Sequence, residues 1–215
     1  MPSISDAYPS CAQLEPFAVC SVSLDGTASF VTRRPTDINT VPPCTGDLAQ
    51  ARAWQQWQQR NAVDAGTYII TINLLVEQDV IVNVRNLDIV RDSQQTAPNG
   101  DVLTCAGGLE TTYKVTVNLA TNPPTLQYSC PTTCAGTDGF SINATQGDHI
   151  TIEMFIMPGP NSLDTWHGSM DMSVGTKKSV LQFGTHELSD FGPTEPQYEI
   201  DDPDTPPYWV LVPSH

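Results

Sequence analysis

The chain has 215 residues and carries twenty-four acidic side chains against nine basic ones, a formal net charge of −15. That balance excludes a nucleic-acid partner, because phosphate-backbone binders need a basic face to release counterions, and it disfavours anionic lipid surfaces. Charged residues make up only 15% of the chain and prolines number eighteen, which suits short strands joined by turns and argues against long helices.

At this length, folding can bury about 70% of the surface of the unfolded chain, enough for a substantial core. All-β sandwiches of this size are commonly one unit, so a single domain over residues 1–215 is expected. It would have a polar N-terminal arm over about 1–13 and an acidic, Pro-rich tail over about 193–215. The opening "MPSISDAYPSC" has neither a basic n-region nor an apolar h-region, so it does not read as a signal peptide. No stretch approaches the ~20 apolar residues that span a bilayer, so no membrane contact by this segment is expected and a leader or anchor would lie outside it.

In chain order, "FAVCSVSL" alternates and places Ala18, Cys20, Val22 and Leu24 on one face. Asp25-Gly26 suits a tight turn, which predicts a hairpin with "SFVTR". After a Pro- and Thr-rich loop comes the only convincing helix, over about 47–62, where Asp47 can cap "LAQARAWQQWQQRNA". Trp54 and Trp57 stand three apart and neighbour each other on its surface. They can face a ligand, but large aromatic area more often anchors a helix against a sheet.

From Tyr68 the period is two. "YIITINLL" puts Tyr68, Ile70, Ile72 and Leu74 on one face, and "VIVNVRNLDIV" reads as strand, or strand with a bulge. A loop is expected from Asp92 to Gly108. "TYKVTVNLA" then points Tyr113, Val115, Val117 and Leu119 inward and Lys114, Thr116 and Asn118 outward, until Asn122-Pro123-Pro124 breaks it. A second loop is expected from Tyr128 to Gly139. "HITIEMFIM" buries Ile150, Ile152, Met154 and Ile156, "WHGSMDMSV" buries Trp166, Met170, Met172 and Val174, and "KKSVLQF" supplies one more strand. About eight to ten strands with one short helix predict an all-β, two-sheet β-sandwich.

Six cysteines, Cys11, Cys20, Cys44, Cys105, Cys130 and Cys134, read as up to three disulfides and so as an extracytoplasmic location, secreted or at the cell surface. The sequence does not choose among the fifteen pairings, but at least two bridges are expected, including Cys130 with either Cys134 or Cys105. Zinc is disfavoured, because the close pair Cys130 and Cys134 has no second pair or nearby His to complete four ligands.

Several pieces recur together in a recognisable order: "WQQWQQRNAVDAG", then "VIVNVRNLDIV", then "CAGGLETTYKVTVNLATNPPTL", then "TWHGSMDMSV" and "KKSVLQF". In these the chain resembles a group of uncharacterised actinobacterial, Streptomyces-type proteins, surface-exposed or membrane-anchored, with a C-terminal β-rich domain. The resemblance covers roughly residues 54–209. It implies a surface domain and carries over no catalytic residues, since the group has no established activity.

The best polar constellation lies on two strands expected to form an antiparallel hairpin. There His149 and Glu153 would meet His167 and Asp171 on the outward face. Two imidazoles and two carboxylates can ligate a metal or run acid–base chemistry. A flat sheet face offers no pocket, however, so solvated cross-strand pairs are expected instead. No G-x-S-x-G elbow, phosphate loop or dinucleotide fingerprint occurs, and no cofactor is implied. Asp201, Asp202 and Asp204 with Glu195 and Glu199 can offer oxygen to calcium, but their spacing matches no calcium loop and reads as a solvated tail. Asn143-Ala144-Thr145 is a glycosylation sequon that matters only in a eukaryotic secretory host. The expected function is a non-enzymatic binding domain for a protein or a cell-wall glycan, presented on loops. A secreted hydrolase using the outward His and carboxylate residues, or a structural subunit of a surface assembly, is the alternative.

Overall fold

The structure, a computed structural model, describes residues 17–44, 48–105, 113–129, 139–192, 195–200 and 206–212. The chain runs through β1 (Phe17–Gly26), β2 (Ser29–Thr32), a 3-10 turn at Ile38–Thr40, α1 (Leu48–Asn61), β3 (Ala62–Ala65), β4 (Tyr68–Val76) and β5 (Val80–Thr96). It continues through β6 (Val102–Thr104), β7 (Tyr113–Asn118), β8 (Thr125–Ser129), β9 (Gly139–Ala144) and β10 (His149–Met157). The remaining strands are β11 (Ser162–Val174), β12 (Lys177–Ser189), β13 (Gln197–Ile200) and β14 (Trp209–Leu211).

These strands form a two-sheet sandwich. One sheet has five strands in the order β1-β4-β10-β7-β8, and the other has nine in the order β14-β13-β6-β2-β3-β12-β11-β5-β9. The surplus over the expected strand number comes from short pieces such as β3, β6, β13 and β14, too brief to show a period in sequence.

Period-two alternation builds the main core. From the five-stranded sheet, Ile70, Ile72, Ile152, Met154, Ile156, Val115 and Val117 are all fully buried. They pack against Val82, Val84, Trp166, Met170, Met172, Leu181 and Phe183 of the larger sheet. The bulge expected in β5 is present: Asn86 takes φ +49°, and the β5–β11 register shifts between Ser169 and Asp171.

Five strands cannot cover nine. By register, Leu188, Asp64, Phe30 and Leu103 share one face of the larger sheet, and Leu188 belongs to the main core. Over β3, β2 and β6 that same face is covered by α1 instead of by strands. Trp54 of α1 packs edge-on against Phe30 with ring centroids 5.2 Å apart, and lies 5.5 Å from Trp57 and 5.6 Å from Trp209. The Trp209 indole donates to the Pro42 carbonyl at 3.3 Å. A disulfide, Cys44–Cys105, closes the rim of this cluster, so Cys105 is bonded to Cys44 and not to Cys130 as in one of the expected pairings. Across a sequence separation of 61, such a crosslink stabilises by about 4 kcal/mol on the chain-entropy account. The opposite face of β2, β3 and β6 carries a smaller apolar group, Val31, Val63, Ala65 and Val102 with Leu163.

Several expectations change. β1 and β2 do not form a hairpin: β1 continues through Gly26 and pairs with β4, whereas β2 joins β3 and β6 in the other sheet. β10 and β11 likewise belong to opposite sheets, and "PGPNSLD" carries the chain across the sandwich edge. Asp164, fully buried there, accepts from the Gly159 amide at 2.7 Å and the Ser162 hydroxyl at 2.6 Å, which fixes the crossing. The expected loop from Asp92 begins later, because β5 runs on to Thr96 against β11. Tyr128 lies in β8 and not in a loop, and residues 130–138 and 106–112 fall outside the described ones. The C-terminal segment is no free tail, since β13 and β14 extend the larger sheet and Trp209 is buried. The N-terminal arm, Asp47, Cys11, Cys130 and Cys134 lie outside the described residues, and the side chain of Cys20 in β1 is not described.

Ile152 is fully buried at the centre of the five-stranded sheet. Ile152→Ala should lower the unfolding free energy by about 2–5 kcal/mol in urea titration. A loss under about 0.5 kcal/mol would mean the alternation faces the other way.

Candidate functional site

Where α1 ends, the chain enters β3 without a linker. The Asn61 side chain donates to the Trp57 carbonyl at 2.8 Å, and the Arg33 amide donates to the Asn61 carbonyl at 2.7 Å, so the helix end is tied to the residue that follows β2. Asp64, third residue of β3, therefore lies under the last turn of the helix, at the seam where helix cover gives way to sheet cover. A polar cleft of about 300 Å³ opens there, lined by Gln58 and Gln59 of α1, Asp64 of β3, Thr185 and Glu187 of β12, and Arg33.

Asp64 is partly withdrawn from water among neutral donors. Gln58 Nε2 donates to Oδ1 at 3.2 Å. The Thr27 hydroxyl stands 3.5 Å from the same oxygen, but it has one proton and lies closer to the Ser29 carbonyl, at 2.5 Å, so Gln58 is the principal donor. Burial pushes the Asp64 carboxyl up to about 6, against the smaller opposing effect of the Thr27 and Gln58 contacts. At the rim, Arg33 pairs with Glu187 at 2.6 Å, with both side chains nearly half exposed.

His186 borders the cleft but is committed inward. Its Nε2 donates to the Phe183 carbonyl, which can only accept, and Nδ1 stands 3.2 Å from the Tyr68 hydroxyl, from which the neutral ring accepts. The ring stacks at 4.8 Å from Tyr68 and 4.9 Å from Trp166. Burial holds its pKa below the ordinary imidazole value, with the Phe183 carbonyl opposing. Half-buried at the cleft edge, His186 has both nitrogens engaged and is not a free base facing the cleft.

The constellation expected from sequence is not assembled. His149 and Glu153 sit in the five-stranded sheet, His167 and Asp171 in the nine-stranded one. His149 is exposed beside a small hollow of about 110 Å³ with Asn73 and Thr151. Glu153, expected outward in solvent, is only 1% exposed; it lies on the outer face, in register with Thr71 and Lys114. His167 pairs instead with Asp92 at 2.8 Å, and Asp171 accepts from Asn86 at 2.8 Å. Among the described residues no three His, Cys, Asp or Glu side chains are grouped to hold a metal. Of the acidic C-terminal set, Glu199 is exposed in β13 and Glu195 half-buried, while Asp201, Asp202 and Asp204 lie outside the described residues. Asn143 of the sequon is exposed on the edge strand β9. Trp54 is buried at 7% and Trp57 half-buried, so the pair anchors the helix.

Sequence reasoning missed Asp64. The available signal was a carboxylate inside "AVDA", a short apolar run directly after a helix. Comparison with protein families, curated proteins and solved structures finds no match. No described helix is long and apolar enough to cross a membrane.

The raised Asp64 pKa has a definite sign in stability. Below about pH 4 the group is protonated both folded and unfolded. Between there and pH 6 the folded state keeps the proton longer, so stability falls as pH rises, and above pH 6 the buried charge costs roughly 2–3 kcal/mol. Asp64→Asn keeps an acceptor for Gln58 and removes the charge. It should match the parent at pH 4 and melt roughly 5 °C higher at pH 8. His186 pulls the other way, losing stability as pH falls below 6.5, but it is common to both proteins. Equal melting temperatures at pH 8 would contradict the burial of Asp64.

Proposed function

We propose that this is an extracytoplasmic binding module, secreted or at the cell surface, whose ligand is a protein or a cell-wall glycan and which does not turn that ligand over. The observation that carries the reading is the seam cleft itself: it offers a carboxylate, side-chain amides and a hydroxyl, while the one imidazole at its edge has both nitrogens occupied. Asp64 can hold or release a proton there, but among the described residues the cleft gives it no second acid or base to work with: Glu187 is held by Arg33 and His186 by Tyr68 and Phe183. Recognition needs only fixed donors and acceptors. The Cys44–Cys105 disulfide supports an oxidising compartment. So does the resemblance in motif order to actinobacterial surface proteins.

The test is co-sedimentation with purified bacterial cell walls, with released reducing ends assayed in the supernatant. The protein is expected to pellet with the walls and to release nothing above a buffer control. If it stays wholly in solution, the glycan is removed and the protein partner is left. Release of soluble fragments that is lost in Asp64→Asn would replace binding by hydrolysis.

A further inference from the structure

We propose that the seam cleft binds a primary ammonium group, such as the end of a lysine-type side chain, with Asp64 as its counterion and the Gln58 and Gln59 amides as further acceptors. The inference rests on reading the domain as a binding module and names the chemistry its cleft recognises. An ammonium presents three N–H donors and no acceptor. Asp64 has its one strong donor, Gln58 Nε2, on Oδ1, and that same bond leaves the Gln58 Oε1 as an acceptor on the cleft wall.

Among the described residues, none places a cation on Asp64. Among the described residues lining the cleft, Arg33 is the one Lys or Arg, and it is held at the rim by Glu187. His186 on β12 is neutral in its Tyr68 and Phe183 contacts, and Arg60, in the last turn of α1, is exposed and does not line the cleft. Burial without a cation accounts for the high Asp64 pKa, and an incoming ammonium would reverse it.

Other ligand classes fit less well. An anion would have to displace Glu187 from Arg33 on a protein of net charge −15, whereas that same charge draws cations toward the cleft. A metal ion finds no grouped set of His, Cys, Asp or Glu among the described residues.

The experiment is titration of the whole protein with n-butylammonium chloride, followed by amide NMR shifts, with tetramethylammonium chloride as a cation of equal charge that has no N–H. Saturable shifts at Gln58, Gln59, Asp64 and Thr185 are expected at pH 8. They should weaken several-fold at pH 5, where Asp64 is protonated, and with tetramethylammonium. Asp64→Asn should abolish them, and Arg33→Ala, which leaves Glu187 unpaired, should bind more tightly than the parent. No saturable shift with butylammonium at pH 8, equal shifts from both cations, or full binding by Asp64→Asn would overturn the proposal. The pH 5 titration of the parent protein tests Asp64 without relying on any variant to fold. Cell-wall sedimentation that persists in Asp64→Asn would keep the binding module while removing the ammonium site.

Discussion

The structure turns on a mismatch of widths: a nine-stranded sheet faces a partner of only five strands. The apolar face left over β3, β2 and β6 must be covered by something else, and α1 supplies the cover through Trp54. That side chain gathers Phe30 from β2, Trp57 from its own helix and Trp209 from the last strand. Aromatic pairs of this kind contribute about 0.5–1.5 kcal/mol each beyond their buried area. The cluster thereby joins the last strand to β2 and α1, and the Cys44–Cys105 disulfide reinforces the same region.

The cleft follows from that substitution of helix for sheet. Strand cover would have sealed the face continuously, whereas a helix laid beside a sheet leaves a seam. Asp64 occupies the seam, close enough to apolar surroundings for its carboxyl to be raised to about 6, yet still part of the cleft lining. His186, on the neighbouring strand, shows a different outcome: half-buried, it stacks near Tyr68 and Trp166 and has no nitrogen to spare.

Which side of each long strand faces inward was legible in the sequence, because alternation is a local property. Ile70 and Ile72, Val115 and Val117, and Ile152 and Met154 all point where the period places them. Partner choice was not legible. Asp25-Gly26 and "PGPNSLD" have the composition of hairpin turns, yet each carries the chain between sheets, and contacts distant in sequence decide that. Glu153 shows the limit of alternation from another side: the period assigns it to the outer face but says nothing about whether that face is covered. Asp64 was hidden for the same reason, since its environment is made by Gln58, Arg33 and β12, and β12 lies more than a hundred residues further on.

Amide hydrogen exchange on Trp54→Ala compared with the parent tests the dependence on helix cover most directly. Protection should fall in α1, β2, β6, β13 and β14, while β4, β10 and the β5–β11 ladder exchange as before. Unchanged protection in α1 and β14, or an equal loss in β4 and β10, would contradict the role given to Trp54.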